Sequence, residues 1–143
     1  MDGSQVKIIL DTSIYIPYIN RGISHPALEI KTGRPLLYMS AVVLKELYAG
    51  ALDSPTVKLL DRLYSTFRDV GRLVVPQVAD WRKAGGVIAA MGKKHGFERL
   101  FLSRISSDVL IALSARRIGA YVVTNNAKDF LRIKEFVDFR MYG

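Results

Sequence analysis

Short, almost continuously apolar runs alternate along the chain with longer segments whose apolar residues recur every three or four positions. The runs are Val6 to Leu10, Leu36 to Met39, Leu73 to Val75, Tyr121 to Val123 and Phe136 to Phe139. Apolarity on successive residues over so short a length requires a strand covered on both faces, the condition of a parallel sheet with helices against it. The pattern therefore predicts an α/β fold with a mainly parallel sheet of about five strands. Asp138 interrupts the last run and predicts an edge position for that strand.

The periodic segments predict the helices. Ala41 to Ala51 has Ser40 as N-cap and Gly50 near its end. Thr56 to Phe67, with Ser54 as cap, carries Val57, Leu60, Leu63, Tyr64 and Phe67 on one face. Pro76 breaks the third strand, and Asp80 to Lys94 is a looser helix weakened in its middle by Gly85 and Gly86. The clearest helix is Ser107 to Ile118, capped by Ser106 or Ser107 and stopped by Gly119. No linker or internal repeat interrupts the series, so residues 1–143 are expected to form a single domain.

Composition narrows the classes. Without cysteine, neither a disulfide framework nor a thiolate zinc site is available. No apolar run approaches the length of a membrane span and the first residues do not read as a leader, which predicts a cytoplasmic protein. A net charge of +8 suits a polyanionic partner, and equally suits an ordinary basic surface.

Against that positive field, four acidic residues stand beside apolar segments, where a solvated carboxylate is not the default. Asp11 ends the first strand, at the carboxyl edge where α/β sheets build their sites, and there it is either a ligand or a helix cap. Glu46 lies about two turns into its helix, on the flank of a core stripe made by Val43, Leu44, Leu47 and Ala51. Asp108 falls in the first turn predicted for its helix, where the dipole alone would favour it. Asp129 follows the turn Thr124-Asn125-Asn126, beyond another strand end. Gathered together, such oxygens suit Mg²⁺ or Mn²⁺ rather than Zn²⁺.

Four segments taken in order carry a resemblance: Ile8-Ile9-Leu10-Asp11-Thr12-Ser13, Ser40-Ala41-Val42-Val43-Leu44-Lys45-Glu46-Leu47-Tyr48-Ala49-Gly50, Asp108-Val109-Leu110-Ile111-Ala112-Leu113-Ser114-Ala115 and Val122-Val123-Thr124-Asn125-Asn126-Ala127-Lys128-Asp129-Phe130. They resemble the PIN-domain ribonucleases, and among them the VapC-like toxins of toxin–antitoxin pairs. The resemblance implies a three-layer α/β/α sandwich with a parallel sheet, carboxylates holding Mg²⁺ or Mn²⁺, and endonucleolytic cleavage of RNA. It also implies a cognate antitoxin and a homodimer. The large apolar residues of Thr56 to Phe67, and Trp81, Phe97, Leu100, Phe101 and Leu102, either line that interface or complete the core.

Carried over residue by residue, Asp11, Glu46 and Asp108 take the first three acidic positions. Some relatives place the fourth acid where Asn126 stands and others at the Asp before Phe. Asp129 is expected here, because an amide cannot offset a cation's charge. Thr124, Asn126 and Ser13 are expected to support the site. Neither His25 nor His95 is needed as a base, and both are expected at the surface. Lys93, Lys94, Arg99, Arg104, Arg116 and Arg117 are the candidate phosphate contacts. The alternatives are a PIN-like module that binds RNA or a partner without cutting, for which Asn126 speaks, and a phosphatase with Asp11 as nucleophile, whose second aspartate is missing at Ser13.

Overall fold

The computed structural model describes residues 6–22, 35–97 and 99–142, and only the backbone of 99–103. His25 and the side chains of Arg99, Leu100, Phe101 and Leu102 lie outside the described residues. The elements in order are β1 (Lys7–Leu10), α1 (Thr12–Arg21), β2 (Leu36–Ser40), α2 (Ala41–Ala49), α3 (Ser54–Asp69), β3 (Leu73–Val74), α4 (Val78–His95), α5 (Arg99–Ile118), β4 (Tyr121–Val123), α6 (Ala127–Lys134) and β5 (Arg140–Tyr142).

All strand pairs are parallel and the order is β3-β2-β1-β4-β5. In the central strand Ile8, Ile9 and Leu10 are buried, as the continuous apolar run requires. Chain order runs outward from β1 to β3 on one side and resumes at β4 on the other, so the direction of winding reverses between β1 and β4. Loops diverge at such a reversal and leave a crevice outside the carboxyl ends of the two strands. Right-handed crossovers in opposite directions place helices on both faces. α1 packs on α2 and α2 on α3, while α4 packs on α5 and α5 on α6.

Three local expectations change. The last strand is Arg140–Tyr142, whereas Val137 and Phe139 are buried from a turn, where Phe139 packs edge-on against Phe130 with ring centroids 6.2 Å apart. Burial without a ladder mimics the strand pattern in sequence. That strand is nevertheless at the sheet edge. Ser54 is not the cap of α3; the Asp53 side chain accepts from Thr56 N at 2.8 Å.

The third change bears on function. α5 begins at Arg99, so Ser106 and Ser107 are interior residues and Asp108 is the tenth of twenty positions rather than a first-turn residue. Serine is tolerated inside this helix because it can bond back along it, as Ser114 Oγ does to Leu110 O at 2.8 Å. The helix dipole, which acts over the first and last turns, therefore gives no account of Asp108. Gly119, at φ 72°, ends α5 as expected, with Ala120 N bonding to Ala115 O at 2.8 Å.

Candidate metal and phosphate site

The site is built where β1 and β4 end. Asp11 leaves β1 in extended conformation and caps α1, its Oδ1 accepting from Ser13 N at 3.1 Å and from Ser13 Oγ at 2.5 Å. From the neighbouring strand end, Thr124 Oγ1 donates to Asp11 Oδ2 at 2.7 Å. Cap and candidate ligand are thus one residue, and the two readings of Asp11 do not compete. Burial pushes its carboxyl above the ordinary 3.8, while the bonds from Ser13 and Thr124 pull it back.

The hydroxyls that serve Asp11 are themselves fixed. Asn126 N donates to Thr124 Oγ1 at 2.8 Å, and Asn125 N to Ser13 Oγ at 2.9 Å. Proline at position 17 lies inside α1 and has no N–H for the carbonyl four residues back. That carbonyl, Ser13 O, accepts instead from Asn125 Nδ2 at 3.2 Å. A proline that looks like a flaw in the helix therefore frees the acceptor that ties the β1–α1 corner to the loop after β4. The role of Asn125 was missed in the sequence; its only signal was this proline.

Glu46 stands in the last turn of α2, half-buried, and its Oε1 accepts from Thr12 Oγ1 at 2.5 Å. α2 is aimed by Ser40, whose buried Oγ accepts from Val42 N at 3.1 Å. Thr12 is a further supporting residue, not singled out in the sequence. Asp129 sits in the first turn of α6, 4% exposed. Its Oδ2 accepts from Asn126 Nδ2 at 3.0 Å and lies 3.3 Å from Arg104 Nε. Asn126 thus orients Asp129.

Asp108 lies between these groups, on the face of α5 that also carries Arg104 four residues earlier. Among the described residues no hydrogen-bond donor reaches its carboxylate. Burial first, then the charges of Asp11, Glu46 and Asp129, push its carboxyl up to about 8, and Arg104 opposes them only in part. Asp108 thus feels the charges of all three other acids. Each of the other three is engaged by protein donors, and among the described residues no three acidic or histidine side chains are gathered closely enough to hold an ion as they stand. The donor set, all hard oxygens, nevertheless fits a divalent cation better than any softer metal.

The basic candidates fall in different places. Lys94 and His95 both meet Glu135, at 2.6 and 3.2 Å. Arg117 bonds Asp80 Oδ2 at 3.0 Å and Val75 O at 2.9 Å, a structural tie between α5 and the start of α4. Lys93 and Arg116 are exposed. Among the candidates whose side chains are described, Arg104 borders Asp129.

Parallel α/β topology with acids at the winding reversal defines a class of sheet enzymes and binding domains. The family is given by comparison: residues 8–135 match the PIN domain, and the chain belongs to that family. No curated protein sequence matches it. The structure of VapBC2 from Rickettsia felis bound to a DNA fragment from its promoter contains a chain 23% identical, with TM-score 0.68 over 96% of this chain and 98% of that one. DNA-bound VapBC from Salmonella typhimurium gives 25% and 0.66, with the same coverage of 96% and 98%. VapBC-5 from Mycobacterium tuberculosis, of the VapBC family of toxin–antitoxin systems, gives 17% and 0.56 over 95% and 97%.

Proposed function

We propose that this PIN domain is a metal-dependent endoribonuclease and the toxin of a toxin–antitoxin pair. The observation that carries the reading is the mid-helix Asp108, raised to about 8 by burial and three neighbouring carboxylates. A half-buried carboxylate set against like charges, with no hydrogen-bond donor among the described residues, costs stability, and such groups cluster at functional sites. Asp11, Glu46, Asp108 and Asp129 would hold Mg²⁺ or Mn²⁺, Glu46 and Asp129 exchanging their present donors for the ion. When bound, the ion supplies charge neutralisation at the scissile phosphodiester and activation of water. Thr124 and Ser13 hold Asp11 in orientation and resist its protonation. Asn126 holds Asp129 in orientation, and Arg104 moderates the charge at the rim. Cleavage of single-stranded RNA that needs added Mg²⁺ or Mn²⁺ and stops with chelator is the test.

The partner reading follows from the VapBC complexes. A small antitoxin would cover the acidic crevice with a segment presenting Arg or Lys to the carboxylates. The product of the adjacent gene should co-purify and suppress cleavage; a stable complex that still cuts RNA rejects the blocking mode. A homodimer is also proposed. Leu60 and Phe67 are core residues, but Trp81 and Phe97 are 56% and 61% exposed and remain available to an interface. Light scattering at micromolar concentration decides this. The separation of the acids as they stand favours a second reading, a binding module without catalysis. Metal-loaded protein that binds RNA and leaves it intact would establish that reading.

A further inference from the structure

We infer that the cavity beside Asp129 is a phosphate subsite for an RNA strand lying across the acidic crevice. The inference rests on the nuclease reading above. The cavity, about 270 Å³, is lined by Arg104, Asn126, Lys128, Asp129 and Arg132. It is smaller than the roughly 300–1,000 Å³ of sites for drug-sized ligands, and each described residue lining it is polar or charged. It therefore fits a small, strongly charged group rather than an apolar one.

The charges set its sign. Among the described residues that line it, three are cationic and one is a carboxylate, and that carboxylate already takes Arg104 and the Asn126 amide. Lys128 and Arg132 are four residues apart and so stand on one face of α6, opposite Arg104 on α5. Two helices thus present cations across a gap whose inner wall is Asp129, a member of the acid cluster. A strand with one phosphate in this gap would continue past Asp129 toward Asp108, whose carboxyl feels the charges of Asp129 and Asp11. Positioning of this kind aligns a substrate without touching the reacting atoms.

The test is RNA binding in the Asp108→Asn background, read by fluorescence anisotropy of a single-stranded oligonucleotide across a salt series. Lys128→Gln with Arg132→Gln should weaken binding about tenfold and make the log Kd against log salt slope shallower by about 0.7–1.4. Lys128→Gln alone, at an exposed position, should give about half that change in slope. Arg82→Gln with Lys83→Gln removes the same charge from exposed positions on α4, after the opposite edge strand, and should leave the slope within about 0.3 of the parent.

Equal slopes for the two double variants would overturn the subsite even if the wild type cleaves RNA with metal. An absence of RNA binding by the parent overturns it together with the nuclease reading. Inorganic phosphate titrated at constant ionic strength separates polymer from free anion. Competition only at millimolar phosphate supports the subsite, whereas saturation at micromolar phosphate would make it a free-anion site and refute the assignment.

Discussion

Replacing Asp108 by asparagine removes the titrating carboxyl from the cluster while keeping shape and size. The folded carboxyl titrates at about 8 against an ordinary 3.8, so between those values the folded state binds a proton that the unfolded chain has released. Stability is then lost as pH rises, by about 1.4 kcal/mol per pH unit, and the loss is complete only above the folded value. At about pH 7.5 the linkage reaches about 5 kcal/mol. The amide remains partly buried without a donor, which offsets part of that gain, so about 1–3 kcal/mol of net gain is expected. For a domain of this size that is about 3–10 °C in Tm. Thermal unfolding of metal-free wild type and Asp108→Asn, at about pH 5.5 and about pH 7.5, should show a gap that widens with pH. Mn²⁺ should then raise the Tm of wild type and not of the variant, because only a ligand bound to the folded state adds stability. A variant less stable than wild type at the higher pH, or a gap that shrinks as pH rises, would refute the assignment of Asp108 to a repelling cluster.

Two further substitutions divide the remaining roles. Asp129→Asn should reduce Mn²⁺ affinity and cleavage about tenfold or more, and Asn126→Ala only about two- to fivefold, since Asn126 orients the acid without carrying charge; the reverse ranking in Mn²⁺ titrations would move the fourth position to Asn126. Thr124→Val leaves Asp11 Oδ2 and Asn126 N without the hydroxyl that joins them, at a cost of about 1–3 kcal/mol by chemical denaturation. Asp11 should then titrate higher, because a bond that held it down is lost, and the acidic limb of the pH–rate profile should move upward; an unchanged limb would mean that Asp11 does not govern activity.

The sheet was legible because its apolar runs are continuous, and the places of Asp11 and Thr124 followed from their position just past strand ends. The true start of α5 was obscured because its serines resemble caps and its first turns carry an apolar cluster without clear periodicity. That error hid the strongest feature of the site, since a first-turn aspartate is ordinary and a mid-helix one facing three acids is not. The final strand was displaced because Val137 and Phe139 are buried from a turn. Tertiary pairings such as Arg104 with Asp129, or Thr12 with Glu46, join residues 25 and 34 positions apart and leave no periodic trace.

The central claim is that the acid cluster cuts RNA through a bound divalent cation. The most direct measurement is an RNA cleavage map for wild type, Asp11→Asn and Asp108→Asn, each with Mg²⁺ or Mn²⁺ and with chelator, beside thermal unfolding of the same preparations. Wild type should cleave only with metal, and both variants should be folded and inactive under every condition. Cleavage that persists in chelator, or full activity in either folded variant, would contradict the account.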